Sequence, residues 1–187
     1  MTMLPDTDGR TSSEPVVPEP DDKDWTWVLD DRCPECDFEA ARMNRADLPE
    51  FTHIVVAAFV AALMRPDATE RPAPGVWSPL EYACHVRDVC LLFDERLELM
   101  LKRDDPLWAN WDQDKTAVES AYREQDPATV AKELALAAVS ILATFGEVKG
   151  DQWQRTGRRS DGAEFTVDSF ARYFMHDLVH HVHDVDD

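Results

Sequence analysis

Apolar residues recur at helical spacing in four long segments of this chain. The segments span about residues 47–64, 78–103, 126–150 and 166–184. Strand-like alternation of apolar and polar positions is nearly absent, so the pattern does not favour a sheet. The sequence therefore predicts an all-α protein, a four-helix bundle with long connections after the first and second helices.

The starts of two of these segments carry specific helix signals. Ser78 can cap the second helix, Pro79 suits its first position, and Glu81 completes an S-x-x-E capping box. Asp126 can cap the third helix. Of the connections, residues 108–125 are expected to form a loop with a short helix, and the turn-rich residues 157–165 predict a small hairpin.

The chain divides by composition into three parts. Residues 1–24 are acidic and rich in proline, so they cannot bury enough apolar surface to offset ordering, and we expect a flexible tail. Residues 25–46 form an N-terminal extension that contains the stretch Cys-Pro-Glu-Cys at 33–36. Residues 47–187 form the predicted bundle.

The net charge of the chain limits the classes of molecule that it is expected to bind. Aspartate and glutamate number 38 against 19 lysines and arginines, a formal net charge of −19. Such a surface repels phosphates and anionic lipids, so we expect neither nucleic-acid binding nor membrane binding. The longest apolar run, residues 54–64, is short for a membrane span, and no basic-then-apolar leader opens the chain. We therefore expect a cytoplasmic protein with reduced cysteines.

Candidate chemistry is concentrated in the fourth helix, which holds four of the six histidines within residues 176–183. At about 100° per residue, His181 falls within the apolar stripe of this helix and Asp177 falls on its flank. His176 and His180 fall roughly opposite, on the face expected to meet water. The helical phase thus favours Asp177 and His181 as the inward pair.

The second helix offers one further imidazole near its apolar face, that of His85. Two ligands at i, i+4 and one from a facing helix make a three-ligand metal site, and its open positions are typical of a catalytic centre. Imidazole and carboxylate suit Zn²⁺, Ni²⁺ or Fe²⁺ equally. Two plainer interpretations stay open: His85 as a packed core residue, and the histidine cluster as a solvated helix end.

Other residues are open to more than one interpretation. Cys33 and Cys36 have the C-x-x-C spacing of half a zinc site or a redox pair, but no second C-x-x-C exists, and a simple turn is the preferred interpretation. Arg158 and Arg159 could meet an anionic substrate, although a surface turn is the default. Arg96 could bind a carboxylate or pair with an acid across the bundle.

Two motifs resemble those of the DinB/YfiT-like superfamily of four-helix bundles. One is WSPLEYACHVRD, in which Trp77 precedes His85 by eight residues; the other is DLVHHVHDV in the fourth helix. The superfamily includes mycothiol-dependent maleylpyruvate isomerases, whose acid-x-x-x-His-x-x-Asp pattern is matched by Asp177, His181 and Asp184. The resemblance covers about residues 45–185 and implies that His85, Asp177 and His181 bind a divalent metal.

The crowded HDLVHH stretch leaves a second ligand set open, in which His176 and His180 join His85. The resemblance further implies that Asp184, His180 or Asp88 orients the ligands by hydrogen bonding. It implies a metal that activates a low-molecular-weight thiol such as mycothiol against a small electrophile, giving S-transfer or cis–trans isomerisation. Whether the protein is an enzyme stays open.

Two further functions stay open: a non-catalytic bundle with a structural metal site, and a metal-free bundle that binds a small ligand. A homodimer is also compatible with the sequence.

Overall fold

The computed structural model describes residues 23–186 of the chain. Most of the predicted flexible tail, residues 1–22, lies outside the described residues. The five α-helices of the described part are α1 Leu48–Leu63, α2 Pro79–Lys102, α3 Gln113–Glu119, α4 Pro127–Glu147 and α5 Val167–Asp186. The four long helices are the predicted ones, and α3 is the short helix expected between the second and third.

The four long helices form the predicted bundle. Helix α2 packs against α4 and α5, and α1 also contacts both α4 and α5. Fully buried apolar side chains fill the space between them, among them Leu97 of α2, Leu134 of α4 and Phe174 of α5. Because α2 and α5 are neighbours, residues on their facing sides can meet within the bundle.

The start of α2 is fixed by the predicted capping box. The Ser78 hydroxyl accepts a hydrogen bond from the Glu81 backbone N–H at 3.3 Å, and the Glu81 carboxylate accepts one from the Ser78 backbone N–H at 2.9 Å. Arg71 adds an ion pair to the same carboxylate. These contacts set the position of the first turns of α2, which carry His85.

A small sheet lies beside the bundle. Its strands are β1 Leu107–Trp108, β2 Thr156–Arg159 and β3 Glu164–Thr166. Strands β2 and β3 form the predicted hairpin, while the parallel pairing of β1 with β2 was not predicted because two residues carry no alternation signal. Gly157 is required here, since a Cβ at this position would lie 2.4 Å from the Trp108 ring.

The N-terminal extension wraps across α5 on the side away from the core. The 3₁₀ helix Trp25–Leu29 contacts α5, and two further 3₁₀ turns, Ala40–Arg42 and Arg45–Asp47, lead into α1. The Arg172 guanidinium donates hydrogen bonds to the backbone carbonyls of Ala40 and Met43. Helix α5 is therefore enclosed between the bundle and the extension.

Two helical segments meet the length and composition of a membrane span, Arg45–Leu63 and Pro127–Glu147. The uninterrupted apolar run, residues 54–64, covers only part of the first of these segments. Core helices of soluble proteins meet the same criterion, and Phe59 and Ile141 point into the bundle here. The match is weak evidence for membrane insertion.

Candidate metal centre

Helices α2 and α5 bring His85, Asp177 and His181 together. Their candidate ligand atoms all lie within 4.8 Å of one another. Asp177 Oδ1 is 3.5 Å from His85 Nε2 and 3.6 Å from His181 Nε2. We call these three residues the triad. Asp177 and His181, the predicted inward pair, thus lie beside His85, their predicted partner on α2. Metal binding by the three residues stays a prediction.

The His85 imidazole is fully buried and enclosed by aromatic rings. It stacks on Trp111 at 5.3 Å with an interplanar angle of 9°, and the Trp77 ring lies 5.4 Å away. Within residues 23–186, neither ring nitrogen of His85 has a hydrogen-bond partner, and neither does Asp177 Oδ1. Buried polar atoms without partners are costly. A cation bound to His85 Nε2 and Asp177 Oδ1 would supply the missing interaction of these two atoms, so the donor set fits a divalent metal.

The protonation states of the triad also suit a metal. Burial lowers the pKa of His85, and the nearby His181 lowers it further. Burial alone would raise the pKa of the Asp177 carboxyl, but the adjacent His85 and His181 imidazoles outweigh burial and hold it below its usual range. A neutral imidazole and an ionised carboxylate are the forms that ligate metals.

Asp184 lies behind His181 on the next turn of α5. His181 Nδ1 and Asp184 Oδ2 are 2.8 Å apart, so Nε2 of the same ring is left facing Asp177. A carboxylate on the far nitrogen fixes the ring orientation of a metal-binding histidine. Asp88 instead accepts hydrogen bonds from Tyr122 and Arg87, with no hydrogen bond to His85 in the described structure.

The triad opens into a cavity of about 280 Å³. The α5 residues that line this cavity include Asp184, His181 and also His176 and His180, and Trp25 and Glu35 of the N-terminal extension line it as well. A broader groove of about 1280 Å³ adjoins the triad at Asp177. A small molecule can therefore approach the triad from solvent.

The groove carries two of the arginines singled out by sequence, Arg96 and Arg159. Burial lowers the pKa of Arg96 to about 10, and the nearby Arg159 adds to the effect. Both guanidiniums remain charged at neutral pH and face the same groove. Arg158 is directed elsewhere, since it pairs with Asp105 at 2.8 Å on the exposed side of β2.

The expectation that His176 and His180 meet water is wrong. Their exposed fractions are 3% and 7%, because the N-terminal extension covers this face of α5. The Trp25 ring lies 5.6 Å from His176 and 4.8 Å from His180. The angular positions of residues around one helix show which face meets the bundle core. They do not show whether another segment of the chain covers the opposite face.

His176 and His180 do not converge with His85. They lie instead beside Cys33 and Cys36, and the candidate ligand atoms of these four residues are all within 4.8 Å of one another. We call this group the tetrad. The two alternative ligand pairs on α5 therefore belong to different clusters: Asp177 and His181 to the triad, and His176 and His180 to the tetrad. Sequence reasoning missed the partnership, although C-x-x-C and H-x-x-x-H together were a usable signal.

Comparisons with known proteins bear on the family and fold of the chain. The sequence profile of the DinB superfamily matches residues 50–185. No curated protein matches the chain. A solved structure, YfiT from Bacillus subtilis, matches with a TM-score of 0.68 and 18% sequence identity, covering 76% of this chain and 83% of that one. YfiT is described as "a probable metal-dependent hydrolase with an unusual four-helix bundle topology".

Proposed function

The chain belongs to the DinB superfamily, and from this premise we propose that it is a metal-dependent enzyme centred on the triad. His85, Asp177 and His181 hold the divalent ion in this proposal. The single observation that carries it is that, among the described residues, His85 Nε2 and Asp177 Oδ1 are buried 3.5 Å apart without a hydrogen-bond partner, beside an open cavity.

The number of ligands supports a catalytic ion. Three protein ligands leave coordination positions for water or substrate, whereas structural sites are closed by a fourth. When bound, the ion would supply Lewis acidity and lower the pKa of a coordinated nucleophile. Asp184 holds the His181 ring in position through Nδ1, and the Trp77 and Trp111 rings exclude water from His85.

We propose that the nucleophile is a low-molecular-weight thiol such as mycothiol, as the resemblance in the α2 and α5 motifs implies. In S-transfer, the thiolate would displace a halide ion from carbon, or add to the double bond of an α,β-unsaturated carbonyl compound that then takes up a proton. In cis–trans isomerisation, the same addition would be followed by rotation about the resulting single bond and expulsion of the thiolate. Arg96 and Arg159, which face the adjoining groove, would orient an electrophile that carries a carboxylate.

Hydrolysis is the second candidate, in which water takes the place of the thiol. It is favoured by the likeness to the fold of YfiT, the protein described as a metal-dependent hydrolase. Two non-enzymatic functions are also to be distinguished by experiment. One is a non-catalytic bundle with a structural metal, and the other is a metal-free bundle that binds a small ligand.

Elemental analysis and turnover assays on chain purified without a His tag test the proposal. We expect the wild-type chain to contain bound metal and His85→Ala and His181→Ala to lose the metal of the triad. The control His53→Ala should retain it, since His53 is exposed on α1. Panels of thiols with electrophiles, and of esters and amides without thiol, separate thiol transfer from hydrolysis. Full metal retention in both triad variants would contradict the proposal, and no turnover in either panel would favour a non-catalytic bundle.

The partners and location expected from sequence stay proposals. They are a small electrophile and a thiol as ligands, a cytoplasmic location, and no binding to nucleic acid or membrane. The net charge of −19 supports the exclusion of polyanions. Size-exclusion chromatography tests the homodimer.

A further inference from the structure

The N-terminal extension places two thiols against two imidazoles of α5. Cys33 is fully buried, and Cys36 is half-buried next to it. His176 and His180 face them from successive turns of the helix. The four candidate ligand atoms lie within 4.8 Å of one another, although about 140 residues separate the cysteines from the histidines.

Backbone hydrogen bonds define the turn that holds the two cysteines. The Cys33 backbone N–H donates to the Phe38 carbonyl at 2.9 Å, and the Asp37 backbone N–H donates to the Cys33 carbonyl at 3.0 Å. Asp37 takes a left-handed conformation with φ of 63°, which aspartate tolerates better than most residues. The Arg32–Asp37 ion pair at 2.8 Å closes the outside of the turn.

The His180 ring is oriented as that of a metal ligand would be. His180 Nδ1 lies 3.7 Å from Cys33 Sγ, while Nε2 of the same ring lies 3.3 Å from Glu35 Oε2. Tetrahedral zinc, with bonds of about 2.3 Å to sulfur and about 2.0 Å to nitrogen, separates neighbouring ligand atoms by roughly 3.5 Å. A carboxylate on the far nitrogen is the usual support of a zinc-bound histidine.

His176 supplies an independent indication. Its Nε2 is buried and, in the part of the chain that the structure describes, has no hydrogen-bond partner. Phe38 packs edge-on against this ring at 5.7 Å, and Trp25 covers it at 5.6 Å. An apolar cage around an unsatisfied nitrogen is costly unless that nitrogen binds something.

We propose that Cys33, Cys36, His176 and His180 bind a zinc ion in a closed, tetrahedral, structural site. Two sulfur and two nitrogen donors select zinc over the harder divalent ions, and C-x₂-C with H-x₃-H is the ligand spacing of known Cys₂His₂ sites. Four protein ligands leave no position for substrate. The tetrad is therefore distinct in role from the triad, which keeps open positions.

The zinc fastens the N-terminal extension to α5. Trp25 and Glu35 belong to the extension and line the cavity above the triad. Anchoring the extension thus fixes one wall of that cavity. Without the ion, the extension is held to α5 by Trp25 and by the Arg172 hydrogen bonds, and the buried tetrad atoms lose their shared partner.

Cobalt substitution tests the tetrad alone. In the reduced, metal-stripped full-length chain without a His tag, Co²⁺ should produce a thiolate-to-cobalt charge-transfer band in the near ultraviolet and the intense visible bands of tetrahedral Co²⁺. The triad contains no sulfur, so it cannot produce the charge-transfer band. Zn²⁺ should then displace Co²⁺ and abolish both features.

The variants assign the band to its ligands. We expect Cys36→Ser to weaken the band strongly, because one of the two thiolates is lost, and His85→Ala to keep it, which separates this inference from the proposed function. Cys84→Ala is the matched control, because Cys84 is a buried thiol on α2 outside the tetrad. His176→Cys should keep binding and give a stronger charge-transfer band, because it adds a third thiolate, while far-ultraviolet circular dichroism reports whether each variant folds.

Two results would overturn the inference. One is the absence of a charge-transfer band at saturating Co²⁺ in the reduced, folded chain, as expected if Cys33 and Cys36 form only a turn or a redox pair. The other is an unchanged band in folded Cys36→Ser.

Discussion

Helix α5 supports two clusters of potential metal ligands that differ in composition and surroundings. The triad combines His85 of α2 with Asp177 and His181 and opens into a cavity. The tetrad combines His176 and His180 with two thiols of the N-terminal extension. The triad is formed within the bundle, whereas the tetrad joins the bundle to a segment outside it.

The difference shows how one helix can serve two purposes through two of its faces. Residues 177 and 181 face α2, and residues 176 and 180, one position earlier, are turned about 100° away toward the extension. Three oxygen and nitrogen donors with open positions are typical of catalysis, and four donors that include thiolates are typical of a structural ion. The two proposals can therefore fail separately.

The largest expected effect is on catalysis through the triad. His85→Ala should lower thiol-dependent turnover by about 10³-fold, because loss of the ion removes several kcal/mol of transition-state stabilisation. Steady-state kinetics with the active thiol and electrophile measures the effect. His53→Ala should keep wild-type kcat/KM, and an equal loss in this control would remove the special role of the triad.

The next effect is on stability through the tetrad. Cys33→Ser should lower the free energy of unfolding by about 3–4 kcal/mol at a free zinc concentration several hundred times Kd, which lowers the Tm by about 10 °C. Thermal melts with zinc and with a chelator measure it. The difference from wild type should shrink strongly in chelator, and a difference that persists there unchanged would indicate lost packing rather than lost zinc.

A smaller effect on stability is expected from a change at the start of α2. This helix carries His85 of the triad and no residue of the tetrad. Glu81→Gln should cost about 2 kcal/mol at neutral pH, because the buried carboxylate pairs with Arg71 and caps the helix. Burial opposes ionisation of Glu81, but Arg71 prevails and the pKa is lowered.

The pH dependence of this effect has a definite sign. Because the pKa of Glu81 is lower in the folded state, its contribution is complete above the ordinary glutamate value of about 4.3 and is lost as the pH falls through the folded pKa. Urea unfolding of wild type and Glu81→Gln between neutral and acidic pH should show the two converging in acid. A constant difference would contradict the ion pair. At neutral pH, where the thiolates can bind metal, the cobalt–thiolate band of Glu81→Gln should equal that of wild type.

The smallest effects come from the carboxylates behind each cluster. Asp184→Asn should weaken metal binding at the triad by about tenfold to hundredfold, because Asp184 lies 2.8 Å from His181 Nδ1. Glu35→Gln should weaken the tetrad by about tenfold or less, since Glu35 is half exposed and lies 3.3 Å from His180. Competition with a chromophoric chelator measures both, and a larger effect from Glu35→Gln would reverse the expected order.

Much of the fold was predictable from local signals. Helical spacing located the four long helices, and Ser78 with Glu81 located the start of α2, because caps and apolar stripes are encoded by neighbouring residues. The same phase argument selected Asp177 and His181 as the residues facing α2. The hairpin of β2 and β3 followed from its turn residues, whereas β1 had too few residues to show alternation.

The burial of His176 and His180 was decided only by the tertiary structure. Their positions on α5 are polar by phase, and they become buried because residues 25–46 fold across them. The sequence by itself determined the helices and the faces that they present to the bundle, since both depend on residues a few positions apart. Cys33 and His180 are 147 positions apart in the chain, and no local pattern specifies which distant segment covers a helix.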